Sequence, residues 1–246
     1  MSRRNACAII ANVKKLDILL FIIERMDIMK PELRQRISGF IDRNKALFLL
    51  SYFAIYLPWF GHLEKTVTTH FHVIHTALDD YIPFCEYFII PYFMWFLFVP
   101  AIVGYEFFYS KKEYYQCCAY LFSGMTIFLI ICTIWHNGLD LRQDISYNNN
   151  LCARLVKMLY KTDTSTNVFP SLHVFNTLGC LVALYKSKGM KDKAWIKVIA
   201  TIIGILIILS TIFLKQHSVW DVIGAFALAA ILYPIVYVIP WGRKKQ

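Results

Sequence analysis

Long apolar blocks, broken by short basic stretches, constrain this chain more than any other feature. Ile82–Phe108, Gln116–Trp135, Ala194–Phe213 and Val219–Trp241 are almost free of charge, and Leu47–His62 and Phe169–Tyr185 are shorter blocks of the same kind. A helix needs roughly 20 apolar residues to cross a hydrocarbon core of about 30 Å. Inside lipid every backbone polar group must be satisfied within the protein, which favours helices or closed barrels. Only 17% of the 246 residues are charged, against about a quarter in soluble domains. The apolar residues fall in blocks rather than in stripes of helical period. An all-α polytopic membrane helix bundle with six transmembrane helices is therefore expected.

Ahead of the first block, Ala8–Ile23 mixes apolar residues with Lys14, Lys15 and Asp17. Its uninterrupted apolar core, Ile18–Ile23, is too short to cross, so the stretch reads as an interfacial amphipathic helix ending near Pro31. Residues 1–45 thus form an amphipathic amino-terminal segment and residues 46–246 a single six-span membrane domain, with no internal repeat or low-complexity stretch. No small-residue cleavage site follows the first apolar stretch, so no cleavable signal peptide is expected and insertion relies on the internal spans.

The formal net charge is +10, yet the basic residues show no stripe with interleaved aromatics, which argues against nucleic acid as a partner. They cluster in alternate segments: the amino-terminal stretch, Lys111–Lys112, Lys186 to Lys193, and Arg243–Lys245. Such segments stay on the cytoplasmic side. Both termini are then cytoplasmic in a multi-pass cell-membrane protein, and the loops around His62–Tyr81, His136–Val168 and Leu214–Ser218 are external. Seven cysteines occur without regular spacing or a Cys-x-x-Cys pair, so neither a disulfide framework nor a zinc site is expected from them.

Two histidines fall on the external side. His217 precedes Asp221 by four residues; on a helix the two share a face. The carboxylate can then fix one ring nitrogen and leave the other to attack a substrate. A solvated pair at a helix start is the plainer reading. His173 lies in Pro170-Ser171-Leu172-His173. Proline suits a first helical turn, and the free amides and dipole of a helix start favour an anion. The plainer alternative is a capping serine with an interface histidine. Arg142 and Lys215 supply cations of the kind phosphoryl transfer needs, although Lys215 also fits a snorkelling lysine at the membrane edge. His70, His72 and His75 are close in sequence, but no further ligand of definite spacing accompanies them, so no metal site is expected.

Together these residues resemble the type 2 phosphatidic acid phosphatase (PAP2) superfamily, whose motifs are broadly Lys-x6-Arg-Pro, Pro-Ser-x-His and Ser-Arg-x5-His-x3-Asp. The second matches as Pro170, Ser171 and His173, and the third at Ser210, His217 and Asp221. Asn167-Val168-Phe169 and the run Ser210-Thr211-x3-Lys215-Gln216-His217 look like variants in bacterial membrane members. The departures are Thr211 at the arginine position, Trp135 at the lysine and Gln143 at the proline; Lys157 or Lys161 are candidates for the missing charge. The resemblance covers roughly Asp79 to the carboxyl end. It implies a PAP2-like bundle and a lipid-phosphate phosphatase that uses no cofactor or metal. His217 is then the nucleophile oriented by Asp221, and His173 the acid and later the base. Arg142, Ser171, Lys215 and Ser210 hold the phosphoryl oxygens. The substrate is a phosphomonoester or diphosphate lipid. A phosphotransferase using an alcohol acceptor, like sphingolipid- or inositol-headgroup synthases, is the alternative within the class. A catalytically silent transporter or scaffold is the alternative outside it.

Overall fold

The computed structural model describes residues 44–146 and 148–239. The amphipathic stretch expected at residues 8–23 and the basic tail lie outside the described residues. The chain divides into two units at Phe48 and Leu49, and the account below concerns the second.

The described structure is all-helical, with eight α-helices. They are α1 (Lys45–Thr66), α2 (Ala77–Tyr81), α3 (Ile89–Tyr109), α4 (Lys111–Ile134), α5 (Leu151–Thr162), α6 (Leu172–Lys186), α7 (Ala194–Phe213) and α8 (Val219–Tyr233). A π-helical turn over Pro234–Val238 extends α8. Two-residue strands β1 (His72–Val73) and β2 (Asn137–Gly138) pair in parallel, His72 opposite Asn137.

Side-chain caps begin several of these helices. Ser110 accepts from the Glu113 amide at α4, Asn150 from Ala153 at α5, and Ser171 from Val174 at α6. Each satisfies one of the amides that a helix start leaves free.

Four helices are long and apolar enough to cross a membrane: Glu86–Tyr109, Lys111–Ile134, Ala194–Phe213 and Val219–Val238. Leu97, Ile202, Ile205 and Phe226 point outward from them, as helix faces in hydrocarbon do. The two remaining expected spans, α1 and α6, are not among these four. α1 has 22 residues. α6 has only 15 residues, about 22 Å of helix. It packs on α3, α4, α7 and α8, so protein covers its sides and membrane thickness does not set its length. It approaches α4 closely at Gly124, where an added Cβ would lie 2.1 Å from the Phe175 ring. Small residues permit such helix contacts.

The expected external loop 136–168 holds an unforeseen element, α5. Its Ala153, Val156 and Leu159 are buried while Arg154 and Lys161 face outward. Asn137 ties this region to the start of α6: its Oδ1 accepts the amides of Val168 and Phe169, each at 2.9 Å.

Candidate active site

His217 lies in the tight turn from α7 to α8, one residue ahead of the Ser218 cap. Lys215 adopts the left-handed conformation (φ 55°) that reverses the chain. The amides of Gln216 and His217 both donate to the Thr211 carbonyl, at 3.0 and 3.1 Å. One element far upstream, α2 with its caps, holds the turn. Lys215 Nζ donates to the carbonyls of Asp79 and Ile82, both at 2.6 Å. The Asp79 carboxylate accepts from Ser218 Oγ at 2.6 Å and from the Val219 and Thr76 amides at 2.9 Å.

His217 and Asp221 meet, although not on one helix as their spacing suggested. Asp221 is the third residue of α8 and reaches back as part of a capping box. Its Oδ2 accepts from the Ser218 amide at 2.9 Å and lies 3.2 Å from His217 Nδ1. A carboxylate can only accept, so Nδ1 carries the proton and Nε2 is left with its lone pair.

His173 is the second residue of α6. Pro170 precedes the Ser171 cap, outside the first turn where the sequence suggested it. The Ser171 amide donates to the Asp221 carbonyl at 3.1 Å, which joins the starts of α6 and α8. Gly224 lets α8 approach this loop, since an added Cβ would lie 2.5 Å from the Phe169 ring. The His173 ring stacks on Tyr92 and sits against Trp95, with centroids at 4.6 and 4.4 Å. It lies 6.0 Å from the His217 ring. Its Nε2 is buried and has no partner among the described residues.

Both histidines line a cavity of about 670 Å³. Aromatic side chains of α1, α3 and α4, such as Tyr56, Phe60, Trp95 and Phe122, form much of its wall. Its polar part gathers Glu64, Asp163, Asn167, Gln216 and the two histidines. Glu64 accepts from Thr164 Oγ1 at 2.5 Å and Asn167 Nδ2 at 3.0 Å. Burial pushes the Asp163 carboxyl above its ordinary range, opposed by the nearby Arg142 charge. No lysine or arginine is among the described residues lining the cavity.

The expected phosphate-binding cations are engaged elsewhere. Arg142 Nη1 donates to the carbonyls of Tyr160 and Asp163, at 3.0 and 2.9 Å. Its Nη2 donates to the Thr164 carbonyl and to Gln216 Oε1, at 2.7 and 3.1 Å, and the guanidinium lies over the Tyr160 ring. Lys215 is bound to the carbonyls already described, and burial lowers its affinity for a proton. Ser210 Oγ donates to the Ile207 carbonyl, and Ser171 Oγ serves as a cap. Neither serine lines the cavity, and Lys157 binds the Asn148 carbonyl at 2.7 Å. Thus His173, His217 and Asp221 come together, whereas Arg142 meets the cavity wall through the Asp163 and Thr164 carbonyls and the Gln216 side chain. In the segment after α1, His75 pairs with Asp80 at 2.8 Å and His72 lies near Trp135. Among the described residues no group of three or more His, Cys, Asp or Glu is placed to hold a metal.

Residues 142–245 match the family model of the PAP2 superfamily. This segment resembles that superfamily over less than half of the 246 residues. No curated protein and no solved structure matches the chain. The matched segment contains both histidines, Asp221 and Gln216, and its likeness to the PAP2 superfamily suggests phosphatase or phosphotransferase-type chemistry. Asp79 and the aromatic cavity walls from α1, α3 and α4 precede it. Sequence reading passed over Asp79, Gln216, Glu64 and Asp163. Gln216 adjoins His217 inside the matched run and carried a signal; the others become visible only when distant segments meet.

Proposed function

We propose that this protein is an integral membrane lipid-phosphate phosphatase that works through a phosphohistidine on His217. The observation that carries this reading is a pair of histidines 6.0 Å apart, one backed by a buried carboxylate, lining a largely apolar cavity. The cavity suits a substrate with a hydrocarbon chain and a terminal phosphate. His217 Nε2 attacks phosphorus while Nδ1–H stays bonded to Asp221. The phosphorus–oxygen bond to the alcohol breaks, and His173 delivers a proton to that oxygen. His173 then takes a proton from water, whose oxygen attacks the phosphohistidine and releases inorganic phosphate and free His217.

In this reading α1 and α6 complete six crossings, both termini are cytoplasmic, and the site opens to the external face. An alcohol replacing water in the second step would make the enzyme a phosphotransferase with the same first half-reaction.

The test is phosphate release from a panel of micellar lipid phosphates in EDTA, with and without added acceptor alcohols. His217→Ala should lower turnover by about 1,000-fold or more, and only wild type should trap an acid-labile phosphoryl group. Undiminished release by His217→Ala rejects the proposal. A new phosphodiester in the acceptor arm assigns the transferase.

A further inference from the structure

A phosphoryl group at His217 needs donors for its non-bridging oxygens. The cavity supplies no free lysine or arginine among its described lining residues. The family arginine position is Thr211, whose Oγ1 donates to the Ile208 carbonyl and whose own carbonyl holds the His217 turn. Arg142 has two acceptors on each terminal nitrogen. The charge that the motif would aim at phosphate is thus engaged in the loop around it.

Three of those four acceptors belong to residues lining the cavity, and one of the three is a side chain, that of Gln216. Gln216 is 4% exposed, adjoins the proposed nucleophile and lines the cavity. Its Oε1 accepts from Arg142 Nη2 at 3.1 Å. A cation can only donate, so this bond fixes which end of the amide is which and leaves Nε2 as the donor end. Nε2 is buried without a hydrogen-bond partner among the described residues. A buried amide donor without an acceptor is costly, so such groups mark a place where a partner binds.

We infer that Gln216 Nε2 is an oxyanion donor of this site, binding a non-bridging phosphoryl oxygen, and that Arg142 acts through it as a positioning residue. The Gln216 amide takes the role of the absent motif arginine, and Arg142 polarises that amide from behind. The ligand class is a tetrahedral or trigonal-bipyramidal oxyanion: a phosphoryl group, or vanadate in its place. Donors of this kind act most strongly on the transition state, where negative charge concentrates on those oxygens. The role rests on the phosphohistidine reading for its catalytic consequence, but anion binding can be measured without turnover.

The experiment uses full-length protein in detergent and reads two quantities: orthovanadate affinity by ligand-dependent thermal shift, and kcat on the best lipid phosphate. Gln216→Glu keeps an acceptor for Arg142, and so the loop, but replaces the donor by a carboxylate oxygen. It should retain the wild-type melting temperature without ligand, lose vanadate binding by at least about tenfold, and lower kcat by about 100-fold. Gln216→Met, which lacks both ends of the amide, should match it in vanadate affinity. Arg142→Lys should weaken vanadate binding in the wild type and add little in a Gln216→Met background, because a residue acting through another has nothing left to position.

Wild-type vanadate affinity in Gln216→Glu, or additive losses in the double variant, overturns the inference. So does the absence of vanadate binding to wild type. Vanadate binding that depends on Gln216 in a protein that releases no phosphate upholds the oxyanion site and rejects the hydrolase reading instead.

Discussion

Asp163 shows how the charge balance of the site depends on single residues. Its carboxyl is buried beside the cavity, and burial raises its proton affinity while Arg142 opposes the shift. The folded-state pKa then lies above the unfolded value near 3.9. Ionised Asp163 costs stability above its folded pKa, and the cost disappears as pH falls below the unfolded value. Asp163→Asn should therefore raise the melting temperature at pH 7 by about 2 °C, with the gain shrinking toward pH 4. A gain that grows as pH falls would show that the carboxylate is instead stabilised by its neighbours. Lys215 and Arg142 make a related point. In sequence each is a cation near a nucleophile, and in space their donors are given to backbone carbonyls of loops that no residue spacing predicts to be adjacent. Asp79 is the reverse case: an unremarked acid whose carboxylate and carbonyl together hold both sides of the His217 turn.

At the scale of elements, α6 carries His173 and is held by contacts on every side. Phe175 is fully buried, stacks on Tyr120 with centroids 5.3 Å apart, and covers Gly124 of α4. Gly124→Ala forces that ring aside, and overpacking of this kind costs about 1–3 kcal/mol. The melting temperature should fall by several degrees, and Phe175→Leu should restore part of the loss by making room for the new methyl. An additive double variant would place the strain elsewhere. The helices themselves were largely legible, because α3, α4, α7 and α8 are single long apolar runs whose ends carry charge or capping residues. α5 was not. Its apolar positions are interleaved with Arg154, Lys157 and Lys161 rather than gathered in a block, and the buried Val156 and Leu159 pack against a surface formed by Ile89, Tyr92 and Leu214.

At the scale of the whole molecule, loop charge predicts an orientation. In a background with Cys7, Cys85 and Cys152 replaced by serine and the buried cysteines kept, His70→Cys should react with a membrane-impermeant maleimide in intact cells. Lys188→Cys should react only after permeabilisation. The opposite pattern overturns the proposed external site, since His70 and Lys188 lie in loops assigned to opposite faces.

The amino-acid sequence by itself determined the helical class, the membrane-compatible blocks and the residues of the His173, His217 and Asp221 constellation. Hydrophobic block length and motif spacing are local properties, readable along one dimension. Tertiary structure decided which polar groups are free to act. It turned Arg142 and Lys215 onto carbonyls, brought Asp79 under the His217 turn, and left the Gln216 amide unpartnered at the cavity. A donor's availability depends on which acceptors surround it in space, and those come from segments 18 to 136 residues away in the chain.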